Sequence, residues 1–235
     1  IEYFHIASLL FDDLPCMDDA WTRRGLPCAH RLHGEAATVL AALALINRAY
    51  GLIGFALADQ PITVRLQATA CLDSALGQAG LVGGQARDLN FAATDRTARA
   101  VARIAAAKTG SLFWLAVYFP AVLALPDEVE RRSLKALCIY WGQAFQATDD
   151  LQDVLATPME SGKIAGNDAR LDRPNLALIL GVPATRDRIA RLATLSTRTL
   201  RGLVARGGER WAYLAAFHAE FSAPLNALAA AEQAA

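Results

Sequence analysis

The chain has 235 residues, 54% of them apolar and 20% charged, and its 23 basic residues balance 23 acidic ones. That size and apolar content suit one domain with a large core, and no shift in composition marks a seam. The even charge balance excludes the broad basic field of a nucleic-acid binder or an anionic-membrane binder, so partners must be read locally. Four scattered cysteines, Cys16, Cys28, Cys71 and Cys138, include no CxxC pair. They suit a reducing cytoplasm better than a disulfide framework. A metal set of Cys16, Cys28, His30 and His33 matches no common zinc spacing.

The chain opens on Ile1, already inside an amphipathic pattern, which reads as a sequence with helices missing upstream. A first helix is predicted over 1–14, stopped at Pro15, with Asp12 and Asp13 in its last turn. The polar stretch that follows carries Gly25, Pro27 and Gly34 and is too long for an ordinary helix connection. It reads as a functional loop in which His30 and His33 are ordinary polar residues. Further helices are predicted over 35–58, 62–91, 95–107, 108–125 and 127–156, with three or four more after Arg173. Pro126 takes the first position of its helix, with Asp127 and Glu128 in the first turn. The longest apolar run, 112–125, is too short to span a bilayer and contains Pro120, so it reads as a core helix. No transmembrane segment is expected, and the protein reads as soluble. No period-two strand and no internal repeat is visible, and the fold class is all-α.

Two aspartate clusters stand out, DDLPCMD with Asp12, Asp13 and Asp18, and DDLQD with Asp149, Asp150 and Asp153. In the second, positions i and i+4 put Asp149 and Asp153 on one helix face with Asp150 beside it. In the first, Asp18 must return by a loop. Crowded carboxylates repel, and capturing a cation relieves that repulsion. All-oxygen ligands without His or Cys point to Mg²⁺, which takes few protein carboxylates and completes its shell with water and substrate phosphates. Arg23, Arg24, Lys108 and Lys163 lie near the clusters and suit phosphate oxygens. A single DDxxD on a helix is ordinarily a solvated face; a second cluster with basic satellites turns the reading toward a magnesium diphosphate mouth.

The words EYFHIASLLFDDLPCMDD, RRGLPCAHRLHGE, GGQARDL, KTGSLF, FQATDDLQD and GKIAGND occur in that order. Together they resemble the trans-isoprenyl diphosphate synthases, the geranylgeranyl and farnesyl diphosphate synthase family. The resemblance implies a single polyprenyl synthetase domain over 1–235 lacking its N-terminal helices, folded as an isoprenoid synthase helical bundle around a deep apolar cavity. It implies three Mg²⁺ ions held by Asp12, Asp13, Asp18, Asp149, Asp150 and Asp153. An allylic diphosphate is expected on Arg23, Lys108 and Lys163, and isopentenyl diphosphate on His5 and Arg24. Thr109 and Gln146 are expected beside the allylic cation, with Asp12, Asp13, Lys108 and Asp149 promoting ionisation. A homodimer is the family precedent. Gln85 and Asp88 read as structural support for the first motif, and Phe4, Phe11, Phe113, Phe119 and Phe145 as plain core.

Small residues, Ser8 and Ala7, stand four and five positions before Asp12, with Phe4 one turn deeper. This predicts geranylgeranyl diphosphate as the product, with Phe4 as the cavity floor. Farnesyl diphosphate synthase is the alternative within the same class. Three departures stand against the resemblance: Leu43 replaces an acid expected near the cavity, Arg173 stands where a Lys is common, and the upstream Gly-Lys-Arg motif is absent. Other readings are a non-catalytic subunit of a heteromeric synthase, a class I terpene cyclase, or a helical scaffold that merely binds divalent ions. Asp149, Asp150 and Asp153 argue against the cyclase, which would carry an Asn, Ser and Glu set there. A purely regulatory subunit has no chemical need for either motif.

Overall fold

The computed structural model describes residues 1–91, 96–155 and 167–230. Its helices are α1 (Glu2–Asp12), α2 (Ala29–His33), α3 (Glu35–Ala56), α4 (Ile62–Leu76), α5 (Leu81–Leu89), α6 (Ala98–Ala121), α7 (Glu128–Leu155), α8 (Asn167–Leu171), α9 (Leu176–Leu180), α10 (Val182–Gly207) and α11 (Tyr213–Ala230). The all-α expectation holds. One two-stranded hairpin of β1 (Thr22–Arg23) and β2 (Leu26–Pro27) interrupts it, too short to leave a period-two pattern.

Three helix boundaries differ from the sequence reading. The predicted helix over 62–91 is two helices, because Gly77 turns extended at the end of α4 and α5 restarts after Gly80. The predicted break before Lys108 does not occur, and α6 runs through it into Pro120. Thr109 does not cap a helix start; its hydroxyl reaches sideways to Gln146 at 3.0 Å. Pro120, which cannot donate to the carbonyl one turn before it, stands one residue before the end of α6. At α7, Asp127 rather than Pro126 does the capping. Its Oδ1 accepts from the backbone of Val129 and Glu130, both at 2.9 Å, and Glu130 Oε2 accepts in return from Asp127 N at 2.9 Å. That reciprocal pair is a capping box.

α6 and α7 form the central pair, with α10 on α7, and α4 and α5 on α6. Trp141, Leu115, Leu134, Leu137 and Leu203 fill the main core, while Val101, Ile104, Leu151, Leu176 and Ile189 pack a second cluster. Trp141 is fully buried, stands edge-on to Phe217 at 5.0 Å, and donates its Nε1–H to Nδ1 of His218 at 3.1 Å. Trp141→Ala is expected to cost about 3–5 kcal/mol, measured by urea unfolding against the parent; a loss within error would contradict this packing.

α3 differs from the other long helices. It packs against α1 and α2, while Leu40, Leu43 and Phe55 are exposed. Leu43 therefore lies on the outer side of the fold and not beside a cavity, which corrects the expectation for that position. By length and composition α3 and the stretch Ala98–Ala124 are apolar enough to cross a membrane. The latter is a core helix, carrying buried Trp114, Leu115 and Tyr118.

Candidate active site

The first aspartate motif is shaped by a turn at the end of α1. After Pro15 the chain folds back so that Asp18 N donates to the carbonyl of Asp12 at 3.0 Å and Met17 N to that of Leu14 at 2.9 Å. Asp12 and Asp18 thus come side by side although six residues separate them. Asp13 goes elsewhere. It is buried, and Arg23 donates from Nε and Nη2 to Oδ1 at 2.8 and 2.6 Å and from Nε to Oδ2 at 3.0 Å. Arg23, on β1, is therefore occupied by the motif itself. Arg24 is exposed in the left-handed region with φ 55°, at the tip of the hairpin.

Lys108 reaches this motif because α5 and α6 touch at a glycine. A Cβ on Gly84 would lie 2.4 Å from Lys108 N, so only glycine permits the approach that brings Asp88, one turn on, beside Lys108. Lys108 Nζ lies 3.4 Å from Asp88 Oδ2 and 3.9 Å from Asp12 Oδ2. Burial pulls the Lys108 ammonium down, but Asp12, Asp88 and Asp18 outweigh it and hold the group above its usual range. Arg173 Nε also approaches Asp88 Oδ2, at 4.0 Å, so Asp88 stands between Lys108 and Arg173 as a support for the first motif.

In the second motif Asp149 and Asp153 are partly exposed on one side of α7, as their spacing requires. Asp168 N donates to Asp153 Oδ2 at 3.4 Å. Asp150 departs from the expectation that it faces the mouth. Only 1% exposed, it accepts from Gln146 Nε2 at 3.0 Å and from Leu176 N at 2.7 Å. Gln146 in turn accepts from Thr109, across a crossing of α6 and α7 where a Cβ on Gly142 would lie 2.7 Å from Gly110 Cα.

Arg173 ties the two motifs together. Following the second motif in sequence, it donates through Nη2 to Met17 O at 2.6 Å and to Asp18 Oδ1 at 3.0 Å in the first. Asn175 holds the neighbouring segment, donating to Asp150 O at 3.1 Å and to Asp168 Oδ2 at 2.9 Å. Sequence reading missed Asp168, Asn175 and the bridging role of Arg173. Their signal was the run NDARLDRPN, polar residues spaced between two apolar helices.

Lys163 lies outside the described residues. His5 is partly exposed, with Nδ1 3.7 Å from Glu2 Oε1. Phe4 and Ala7 face the interior, and the Phe4 ring meets Tyr50 of α3 edge-on at 5.1 Å. Ser8 is half-buried with its hydroxyl on His5 O at 2.8 Å. His30 is buried on α2 instead of lying in an open loop. Among the described residues no three His, Cys, Asp or Glu side chains converge tightly enough to hold a bare ion.

Burial lifts Asp12 to about 6 against the pull of Lys108, Asp168 to about 6, and Asp150 to about 7. Each lies above the ordinary value of 3.8, so the folded protein holds more protons than the unfolded chain between those values. Stability contributed by these groups is complete below the ordinary value and is lost as pH rises through about 6 to 7. His218, held below its usual value by burial, acts in the opposite sense, one imidazole against three carboxyls. In EDTA the thermal midpoint is expected to be lower at about pH 7.5 than at about pH 5.5. Magnesium with inorganic pyrophosphate should narrow the gap, and a higher midpoint at the upper pH in EDTA would contradict the geometry.

The profile described as Polyprenyl synthetase matches residues 1–200. The chain is 41% identical over 189 residues to a geranylgeranyl diphosphate synthase of Pseudescherichia vulneris, covering 80% of this chain and 60% of that protein. It is 33% identical over 190 residues to a farnesyl diphosphate synthase of Bacillus subtilis, covering 80% and 64%. The crystal structure of a geranyltransferase from Helicobacter pylori, complexed with magnesium and isoprenyl diphosphate, superimposes with a TM-score of 0.75 at 27% identity, covering 97% of this chain and 70% of that one. The chain thus spans less than two thirds of the length of these two curated relatives. The chain belongs to the polyprenyl synthetase family.

Proposed function

We propose that this chain carries the active site of a magnesium-dependent trans-prenyltransferase that condenses isopentenyl diphosphate with an allylic diphosphate, giving mainly geranylgeranyl diphosphate. One observation carries the reading. Each acid of the first motif has a basic partner, Asp12 with Lys108, Asp13 with Arg23 and Asp18 with Arg173. Such a site offers carboxylates to a divalent ion and cations to the phosphates that arrive with it. The geranylgeranyl product is supported by the small residues at Ala7 and Ser8 and by the relative at 41% identity.

The donors that fit magnesium are the part-exposed oxygens of Asp12, Asp18, Asp149 and Asp153. When bound, the metal would neutralise charge on the departing diphosphate and so favour cleavage of the allylic C–O bond. Lys108, held beside Asp12 and Asp88, offers its ammonium to a phosphate oxygen. Gln146 lines the cleft that Lys108, Asp88 and Pro174 also line, and its Oε1 accepts from Thr109 at 3.0 Å. Oxygen dipoles there favour a cation and offer it no nucleophile as reactive as water. Arg24 is free for isopentenyl diphosphate, as the resemblance implies. No general base is assigned among the side chains; the proton leaves to the departed diphosphate.

Homodimerisation would suit the exposed apolar side of α3, with Leu40, Leu43 and Phe55. A cytoplasmic location is in keeping with four free cysteines, three of them buried. The test of the reading is incubation with isopentenyl diphosphate, each allylic starter and Mg²⁺, followed by product identification. A twenty-carbon diphosphate that disappears with EDTA is expected; a folded, magnesium-loaded protein that elongates no starter would overturn it. In the same assay Arg24→Ala should raise the KM for isopentenyl diphosphate far more than that for the allylic substrate. Equal effects on both constants would show the roles to be misassigned.

A further inference from the structure

We propose that Asp150 is a positioning residue that sets which end of the Gln146 amide faces Thr109, and is not a ligand of magnesium. The inference rests on the prenyltransferase reading of the site. Its basis is a line of four polar groups whose hydrogen bonds converge on Asp150. The Leu176 N–H and the Gln146 Nε2–H both donate to the Asp150 carboxylate, at 2.7 and 3.0 Å, and Thr109 Oγ1 donates to Gln146 Oε1 at 3.0 Å. Both Asp150 oxygens accept here, so the amide turns its NH₂ toward Asp150 and its oxygen toward Thr109.

The Thr109 hydroxyl then spends its proton on Gln146, and its remaining lone pairs stay acceptors beside Gln146, which lines the cleft. Without Asp150 the amide has no reason to prefer this orientation. Reversed, it would turn an N–H toward Thr109, whose own proton would swing outward, and a developing allylic cation would meet hydrogen-bond donors in place of acceptors. The burial of Asp150 supports the same division of labour. At 1% exposure, with both oxygens engaged and its backbone carbonyl held by Asn175 at 3.1 Å, it is built into the packing between α7 and α9. Asp149 and Asp153 lie on the more open side of α7.

The size-matched variant Asp150→Asn tests this directly. Its single side-chain oxygen can serve Leu176 N, and its NH₂ then faces Gln146 and reverses the amide. Assayed at about pH 8, Asp150→Asn and Gln146→Leu are each expected to lower kcat about tenfold to a hundredfold, and the double variant to lose no more than the worse single one. The fraction of allylic substrate released as the free alcohol should rise, because the cation is less well held against water. The magnesium concentration for half-maximal rate should stay within about twofold of the parent for Asp150→Asn and rise at least about tenfold for Asp149→Asn. Multiplying losses in the double variant, or a magnesium requirement that rises for Asp150→Asn as for Asp149→Asn, would overturn the assignment. A crystal structure of the unsubstituted protein with Mg²⁺ and inorganic pyrophosphate decides the point without any variant. Both Asp150 oxygens should remain on Gln146 and Leu176, and an Asp150 oxygen at about 2.1 Å from the metal would refute the proposal. That coordination result stands even if the protein makes no prenyl diphosphate, so failure of the reaction and failure of this assignment are told apart.

Discussion

Asp12→Ala and Asp149→Ala are each expected to lower kcat by about 10² or more, the scale seen when a strong electrostatic stabiliser is removed. The two losses have different local causes. Asp12 stands beside Asp18 through the turn at Pro15, and burial together with its neighbours Asp18 and Asp88 leaves it reluctant to ionise without a cation. Removing it strips one oxygen ligand and also loosens Lys108, 3.9 Å away, which then leans wholly on Asp88. Asp149 sits on the other motif, and on the proposed reading its loss would remove the metal ligand on the other side of the diphosphate. Steady-state kinetics at saturating substrates and magnesium check both, and near-normal turnover in either variant would break the assignment.

Ala7→Tyr is expected to shift the product from twenty carbons to fifteen, and Phe4→Ala to lengthen it beyond twenty. A helical turn rises about 5.4 Å, close to one isoprene unit, so moving the bulky residue by one turn of α1 moves the floor by one condensation. Phe4 is 4% exposed and braced edge-on by Tyr50, and Ala7 is 1% exposed on the same interior side of the helix. Ser8 is half-buried and its hydroxyl is spent on the His5 carbonyl, which makes Ala7 the sharper position to fill. Chromatography of the hydrolysed products reads the outcome, with thermal midpoints confirming that each variant is folded. Unchanged product length in both would remove α1 as the ruler while leaving the chemistry untouched.

Much of this was legible because carboxylate spacing survives translation into structure. Asp149 and Asp153 share a side of α7 because i and i+4 must, and Asp18 returns beside Asp12 because Pro15 cannot continue a helix. Asp150 was harder. Spacing places it next to the other two but does not say which side of α7 is covered, and that depends on Leu176 arriving from a distant segment. The same limit hid the Arg173 bridge to Asp18 and the Tyr50 brace on Phe4, contacts between residues far apart in sequence. The close approaches at Gly84 and Gly142 were likewise unread, since a glycine within a helix shows its purpose only once the neighbouring backbone is known. Lys108 and Thr109 were placed at a helix start by residue type, whereas tertiary contacts with Asp88 and Gln146 account for them inside an unbroken α6.

The central claim is that the two aspartate motifs act together as one magnesium-dependent diphosphate mouth. Titration calorimetry of inorganic pyrophosphate into the protein, with and without Mg²⁺, tests it without depending on turnover. Binding should require Mg²⁺ and weaken by at least about tenfold, or 1.4 kcal/mol, in Asp12→Ala and in Asp149→Ala alike. Binding that persists in EDTA, or that is indifferent to either substitution, would contradict it.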